Sequence, residues 1–279
     1  MSKTSADQPD VHYDNITKAW RCLMGESFHY GYFASPEQEL NAATEALTRE
    51  MARAARLEPD HRVLDVGCGI GGPALYLIQS IGCRVTGIST SHVGIATARE
   101  RAASVELVDR AEFLLRDGMD NGFDDESFDR VWVMESSHLM ADKGAMIRDS
   151  ARVLERGGRL VLCDIIMRRD LGMSEVLKRA REFDLLRRVF GRAKMETLAS
   201  YESWCREAGL RVNRLDEISA QTRRTFDRWQ QNAAQYRGEV VALIGEESHS
   251  DFVRACDELK KMWSEEVLGY GILEAEKPR

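Results

Sequence analysis

The 279-residue sequence contains no run of 18 apolar residues, and its opening "MSKTSADQPD" has no apolar core of a signal peptide. The first absence argues against a membrane span and the second against export, so a cytoplasmic protein is expected. Basic excess is missing too: 39 Lys and Arg stand against 46 Asp and Glu, a formal charge of -7. Nucleic acid and anionic membrane surfaces are therefore poor partners. The six cysteines, Cys22, Cys68, Cys83, Cys163, Cys205 and Cys256, show no CxxC spacing, which leaves no zinc site or disulfide framework and predicts reduced, mostly buried thiols. There is no internal repeat and no low-complexity tract. What is present is an ordinary globular composition, 43% hydrophobic, and enough chain for one well-buried α/β domain with an added lid.

After a short polar lead, expected to be disordered, the stretches 12–33 and 37–57 read as two N-terminal helices, the first dense in aromatic residues. The next hundred residues alternate short apolar runs with helical stretches. Strands are predicted at "RVLDVG" (62–67), "RVTGIS" (84–89), "AEFLLR" (111–116), "FDRVWVME" (128–135) and "GRLVLCDII" (158–166). Near-continuous apolar strands separated by helices describe a parallel sheet covered on both faces, with ligands beyond its carboxyl ends. From about 168 the chain turns helical and charged, interrupted by a strand at 211–219 and closed by a strand beginning "YGILEAEKP". In "EVLKRAREFDLLRRV", Val176, Leu177, Phe183, Leu186 and Val189 form an apolar stripe opposite a solvated face. This gives three expected regions: N-terminal helices covering a cofactor site (1–57), a nucleotide-binding core (58–168), and a helical lid with the last two strands (169–279).

Within "RVLDVGCGIGGPALYL", Gly67, Gly69 and Gly72 fit the pattern G-x-G-x-x-G at a strand-to-helix turn. Such glycines let the backbone approach a ligand closely, which suits a nicotinamide nucleotide or S-adenosylmethionine. Asp65, two residues before the first glycine, would repel a pyrophosphate but can pair with a methionyl ammonium group. A dinucleotide-binding enzyme also wants an acid at the end of the second strand, where this chain reads "GISTS"; Ser89 offers only a hydroxyl to a ribose.

Together "VLDVGCGIGGPALYL", "VTGISTS", "LRDGMDNGFDDESFDRVWVMESSHLM", "ARVLERGGRLVLCDI" and "GYGILEAEKP" resemble the successive motifs of class I S-adenosylmethionine-dependent methyltransferases. The likeness is to small-molecule enzymes of the rebeccamycin sugar O-methyltransferase type, and it covers nearly the whole chain. It implies a Rossmann-like, doubly wound seven-stranded sheet, mostly parallel with the last strand antiparallel, and a helical lid inserted among the late strands. It implies that Asp65, Gly67 and Gly69 hold the methionyl part of S-adenosylmethionine, with S-adenosylhomocysteine as product, and that Ser89 lies near the ribose. Asp117 would accept a hydrogen bond from the adenine amino group, Gly118 and Met119 would line the ring, and Glu135 would close the site. His29, Tyr30 and Tyr32 of "ESFHYGYF" would fold over the methionyl end, although a cluster of Phe28, Tyr30, Tyr32 and Phe33 is equally readable as core. Relatives often carry Gln where this chain has Gly94, which implies either weaker cofactor binding or a ribose contact handed to Ser91.

Methyl transfer to an alcohol needs in-line alignment and a base for the departing proton. His138, in "ESSHLM", falls at the end of the fourth strand, and Asp164, in "LVLCDII", at the matching level of the fifth; neighbouring strands would join them as an acid-oriented base. Relatives with "ESLHHM" and "IADF" carry His and Asp there, with a second His where this chain has Leu139. His12, His61, His92 and His249 receive no role, and no metal is expected from two ligands without a cluster. The expected activity is methylation of a small natural-product-like acceptor at oxygen. Carbon or nitrogen methylation, and a non-methylating cyclase that retains the cofactor, are the alternatives. The acceptor and self-association are left open.

Overall fold

A computed structural model describes residues 9–279 of the chain; the expected polar lead falls largely outside the described residues. Among the described residues, nineteen helices, turns and strands fall into two compact units. The first takes in the chain through Ala46, Leu171–Arg192 and Ala220–Glu265; the second comprises Leu47–Asp170, Ala193–Ser219 and Glu266–Arg279.

The second unit is built on a seven-stranded sheet: β1 (Arg62–Val66), β2 (Arg84–Ser89), β3 (Ala111–Leu115), β4 (Phe128–Met134), β5 (Leu154–Met167), β6 (Arg211–Glu217) and β7 (Leu268–Glu276). The spatial order is β3-β2-β1-β4-β5-β7-β6. β1 to β5 pair in parallel, while β7 runs antiparallel to both β5 and β6. Val63 to Val66 are all buried, as are eight consecutive residues of β7; side chains alternate across a strand, so both faces are covered. Beside the sheet lie α3 (Gly72–Ile81), α4 (His92–Ser104), α5 (Lys143–Val153) and α8 (Leu198–Glu207). Leu64, Val131, Val133, Met146, Ile147, Leu160, Leu162 and Leu273 share one core. β6 closes the sheet with alternating exposed residues, including Arg211 and Glu217, a charged edge that discourages pairing with another chain.

All five core strands lie where the apolar runs place them, but β5 begins at Leu154, four residues early, because its first part joins β4 across a register shift between Phe128 and Arg130. Gly157 takes φ +81° inside that irregularity.

The first unit is helical, with α1 (Pro9–Met24), α2 (Leu40–Ala54, shared between the units), α6 (Met173–Lys178), α7 (Ala180–Phe190), α9 (Ser219–Thr222), α10 (Thr225–Gln235) and α11 (Arg237–Ser264). Two expectations change here. The first helix stops at Met24, where Gly25 adopts φ +87° and its N–H caps Arg21 O at 3.0 Å; the aromatic stretch 28–33 is irregular rather than helical. The apolar stripe is also broken. Arg179 separates α6 from α7 and pairs with Glu175, Glu182 and Glu265, so Val176 and Leu177 are exposed while Leu185 and Leu186 are buried. No helix among the described residues is long and apolar enough to cross a membrane.

The entry to α3 supplies a test. Gly71 caps the helix in the left-handed region at φ +77°, and a Cβ there would lie 2.9 Å from Phe113 Cζ. Gly71→Ala should cost about 1–3 kcal/mol and lower Tm by several degrees in a melt. An unchanged Tm would mean that α3 does not enter against Phe113.

Candidate functional site

The parallel strands β1 to β5 deliver their carboxyl ends to one edge, and the strand order reverses between β1 and β4, where such sheets hold ligands. At that edge the chain after β1 turns sharply. Gly67, Gly69 and Gly71 all take positive φ (+82°, +53° and +77°), so the third turn-forming glycine is Gly71 rather than the Gly72 of the sequence pattern. Gly67 and Cys68 both direct their N–H groups to Ile88 O, at 2.8 and 3.0 Å. A Cβ on Gly67 would sit 2.2 Å from Ser136 Cβ, whereas one on Gly69 would meet nothing within 4 Å. The first glycine is thus required by packing against the chain after β4, and the second borders open space.

Asp65 is 2% exposed and its Oδ2 has no hydrogen-bond partner among the described residues. Burial alone raises its pKa to about 7. An isolated buried carboxylate at the mouth of a glycine turn fits a cationic ligand group, which is what the methionyl ammonium of S-adenosylmethionine would supply.

Ser89 ends β2 and its Oγ accepts from Ser91 N at 3.2 Å, while Ser91 Oγ caps α4 by accepting from Gly94 N at 3.0 Å. A Cβ on Gly94 would approach Gly69 O at 3.1 Å and Ser91 Oγ at 3.2 Å, so a residue as large as Gln would crowd the glycine turn here. Asp117 is exposed, and its Oδ1 accepts from Met119 N at 2.9 Å, leaving Oδ2 for another donor. Gly118 lets this loop approach β1, since a Cβ there would lie 2.5 Å from Val66 Cγ1. The acceptor oxygens of Asp65, Ser89 and Asp117 thereby suit an ammonium, a ribose hydroxyl and an exocyclic amine in turn.

The chain leaving β4 carries the predicted residues Glu135 and His138. Glu135 is held in the left-handed region at φ +48°, a conformation that costs a non-glycine residue about 1 kcal/mol or more. It is held there by its N–H to Cys163 O at 2.9 Å and by Tyr270, whose hydroxyl donates to Glu135 Oε1 at 2.5 Å. Ser136 Oγ donates to Val66 O at 2.6 Å, tying the turn to β1. Residues Ser137–Leu139 then form one 3₁₀ turn, which aims His138 at β5.

His138 Nδ1 lies 2.6 Å from Asp164 Oδ1, and its backbone N–H donates to Asp164 Oδ2 at 2.9 Å. Asp164 is wholly buried, and the His138 side chain is 14% exposed. Burial opposes charge on both, but their mutual attraction prevails: Asp164 is held below the ordinary carboxylate range and His138 above the ordinary imidazole value. Because a carboxylate only accepts, Nδ1 carries the proton of the neutral ring and Nε2 keeps a free lone pair.

His29, Tyr30 and Tyr32 belong to the first unit. His29 is buried with Nδ1 2.8 Å from Tyr30 O, and burial lowers its pKa to about 4. Tyr30 packs on Phe226, Trp229 and Trp263, with ring centroids 5.5, 5.1 and 5.8 Å away; this is the core-packing role. Tyr32 is half-buried. Five of the six cysteines are buried, and all six are free. Sequence reasoning missed Ser137, Tyr201 and Tyr270. Only the "GYG" opening of the last strand hinted at one of them.

A family model described as mycolic acid cyclopropane synthetase matches residues 1–268. The chain is 32% identical over 279 residues to 27-O-demethylrifamycin SV methyltransferase of Amycolatopsis mediterranei (strain S699), covering all of both chains. Among solved structures, the [4+2]-cyclase SpnF is 27% identical with a TM-score of 0.79, over 95% of this chain and 93% of that one. Mycolic acid cyclopropane synthase CmaA1, in complex with S-adenosylhomocysteine and CTAB, shares the fold with a TM-score of 0.84 at 20% identity, over 99% of each chain.

Asp65 gives the site its sharpest measurable property. With its pKa near 7, it is protonated in mildly acidic solution and must ionise to pair with an ammonium group. Binding of S-adenosylhomocysteine at about pH 6 should therefore release a proton, seen by calorimetry in buffers of different ionisation enthalpy, and affinity should rise toward neutral pH and then level. Asp65→Asn should abolish that release and weaken binding about 10-fold or more. Unchanged affinity in the variant would exclude the pairing.

Proposed function

The chain belongs to the mycolic acid cyclopropane synthetase family and is an S-adenosylmethionine-dependent methyltransferase, and we propose that it methylates a hydroxyl oxygen of a small natural-product acceptor with His138 as general base. The observation that carries this reading is the 2.6 Å contact between His138 Nδ1 and a wholly buried Asp164, which leaves Nε2 basic on a side chain that is still 14% exposed. The relative from Amycolatopsis is named for methylation at an oxygen.

When bound, S-adenosylmethionine supplies an electrophilic methyl group on a sulfonium, which an oxygen nucleophile takes by in-line displacement, leaving the thioether S-adenosylhomocysteine. Asp65, Gly67 and Gly69 would hold its methionyl part, Ser89 its ribose, and Asp117 with Gly118 and Met119 its adenine; Glu135 would border the site. His138 Nε2 receives the acceptor's hydroxyl proton as the new C–O bond forms. Asp164 keeps the ring in the tautomer that can do this and stabilises the imidazolium that results. The proton then passes to solvent.

A second reading follows from the similarity to a [4+2]-cyclase: the same scaffold can run a reaction without methyl transfer. Mass spectrometry separates the two. With S-adenosylmethionine and a panel of hydroxylated macrocycles including 27-O-demethylrifamycin SV, the product gains the mass of one CH₂; isomerisation without mass gain would favour the cyclase.

His138→Ala should lower kcat about 10²–10⁴-fold while leaving S-adenosylhomocysteine affinity nearly unchanged. A base works when neutral, and the His138 pKa lies above the ordinary 6.5. Activity should therefore fall as pH drops through a limb above that value. Full activity in His138→Ala would sink the base assignment.

A further inference from the structure

Asp164 is held by more than its histidine. Oδ1 accepts from His138 Nδ1–H and from Ile165 N–H at 2.8 Å. Oδ2 accepts from the His138 backbone N–H and from the Ser137 hydroxyl in a short hydrogen bond. An ionised carboxylate has no proton to give, so Ser137 must direct its only proton at Asp164. The Tyr201 hydroxyl, 2.7 Å from Ser137 Oγ, must then donate to Ser137. Direction is thereby fixed: Tyr201 donates to Ser137 and Ser137 to Asp164, which accepts from His138 on its other oxygen.

We propose that Ser137 and Tyr201 are positioning residues that form a one-way hydrogen-bond relay onto Asp164 and so set the basicity of His138. Tyr201 comes from α8 and is fully buried. Its ring meets Trp204 edge-on at 5.5 Å, a packing role that Phe would fill as well. The hydroxyl is therefore surplus to packing, and burying it is unfavourable unless it is bonded. Burial first, and then the Asp164 charge, push this phenol far above its ordinary range, so it remains a donor throughout the working pH range.

The sign of the effect follows from where charge sits. With the His138 ring neutral, Asp164 carries an uncompensated negative charge, and the donated hydrogen bonds from Ser137 stabilise it most. Once the ring is protonated, the two charges largely cancel and the same bonds matter less. The relay therefore favours the neutral ring and holds His138 lower than Asp164 alone would. Other charged groups near this turn are Glu135 at the end of β4, Lys143 on α5 with Asp142 before it, and Lys194 and Glu196 ahead of α8. Lys194 N donates to His138 O at 2.8 Å, so that segment also braces the turn. Glu135 adds to the rise of His138 and Lys143 opposes it. Besides the His138 ring, the side chain that bonds Asp164 is Ser137, with Tyr201 behind it.

The significance for turnover rests on His138 being the base; the effect on the imidazole does not. The decisive experiment is a ¹⁵N NMR titration of the histidine rings in the full chain, with His138→Gln assigning the resonance and S-adenosylhomocysteine calorimetry confirming that each variant retains its cofactor site. Ser137→Ala should move the His138 titration to higher pH, and Tyr201→Phe should move it less in the same direction. Because Tyr201 acts only through Ser137, the double variant should match Ser137→Ala. A titration unmoved in both single variants, or moved to lower pH, overturns the relay, and additive shifts in the double variant overturn its serial order. For turnover, Ser137→Ala should lose roughly tenfold in kcat near neutral pH, and raising the pH should recover part of that loss. If the ring titrates as expected and turnover ignores it, the relay stands and the base reading of His138 falls.

Discussion

A carboxylate cannot be taken out of water without several kcal/mol of compensation. Asp164 meets that requirement wholly from within the chain. Two backbone N–H groups, the His138 ring and the Ser137 hydroxyl converge on its two oxygens. Because two of those residues are adjacent in the turn that leaves β4, satisfying the carboxylate also fixes that turn. Ser136 is then placed to bond Val66 O and to lie against Gly67, and Glu135 is placed to meet Tyr270 from the last strand. One buried charge on β5 in this way orders the edge of β1, the end of β4 and a residue of β7.

Asp65 presents the opposite case in the same sheet. It is equally enclosed, yet Oδ2 finds no donor among the described residues and the group rises toward neutrality. One buried carboxylate is thus fully bonded, while the other, two strands away, has an oxygen without a partner among the described residues. Asp164 is fully paired and orients the His138 ring. Asp65 is suited to a cation that the chain itself does not provide, in keeping with the cofactor of this family.

Much of this was legible before any coordinates. Apolar runs of five to nine residues separated by helical stretches specify a covered parallel sheet, and all five core strands occur at the expected places. His138 and Asp164 were recognisable as partners because adjacent parallel strands bring their ends to one level. Other features depended on residues far apart in sequence. The aromatic stretch 28–33 has a helix-compatible composition, but Gly25 ends α1 before it and Tyr30 is drawn into a ring cluster from α10 and α11. The stripe through Val176 and Leu177 was lost because Arg179 has three carboxylate partners, one of them 86 positions away.

What the sequence by itself determined is the sheet, the glycine turn and the chemical identity of the groups at its edge, since these follow from local periodicity and from residue types within one strand-turn-helix unit. Tertiary structure alone decided which hydroxyls reach Asp164. Ser137 sits beside His138 in the chain, but the hydroxyl that donates to it comes from Tyr201, on a helix 64 residues later. Tyr270, likewise, meets Glu135 across 135 residues. Hydrogen-bond direction in a buried network depends on every donor and acceptor present, and no local pattern specifies that set.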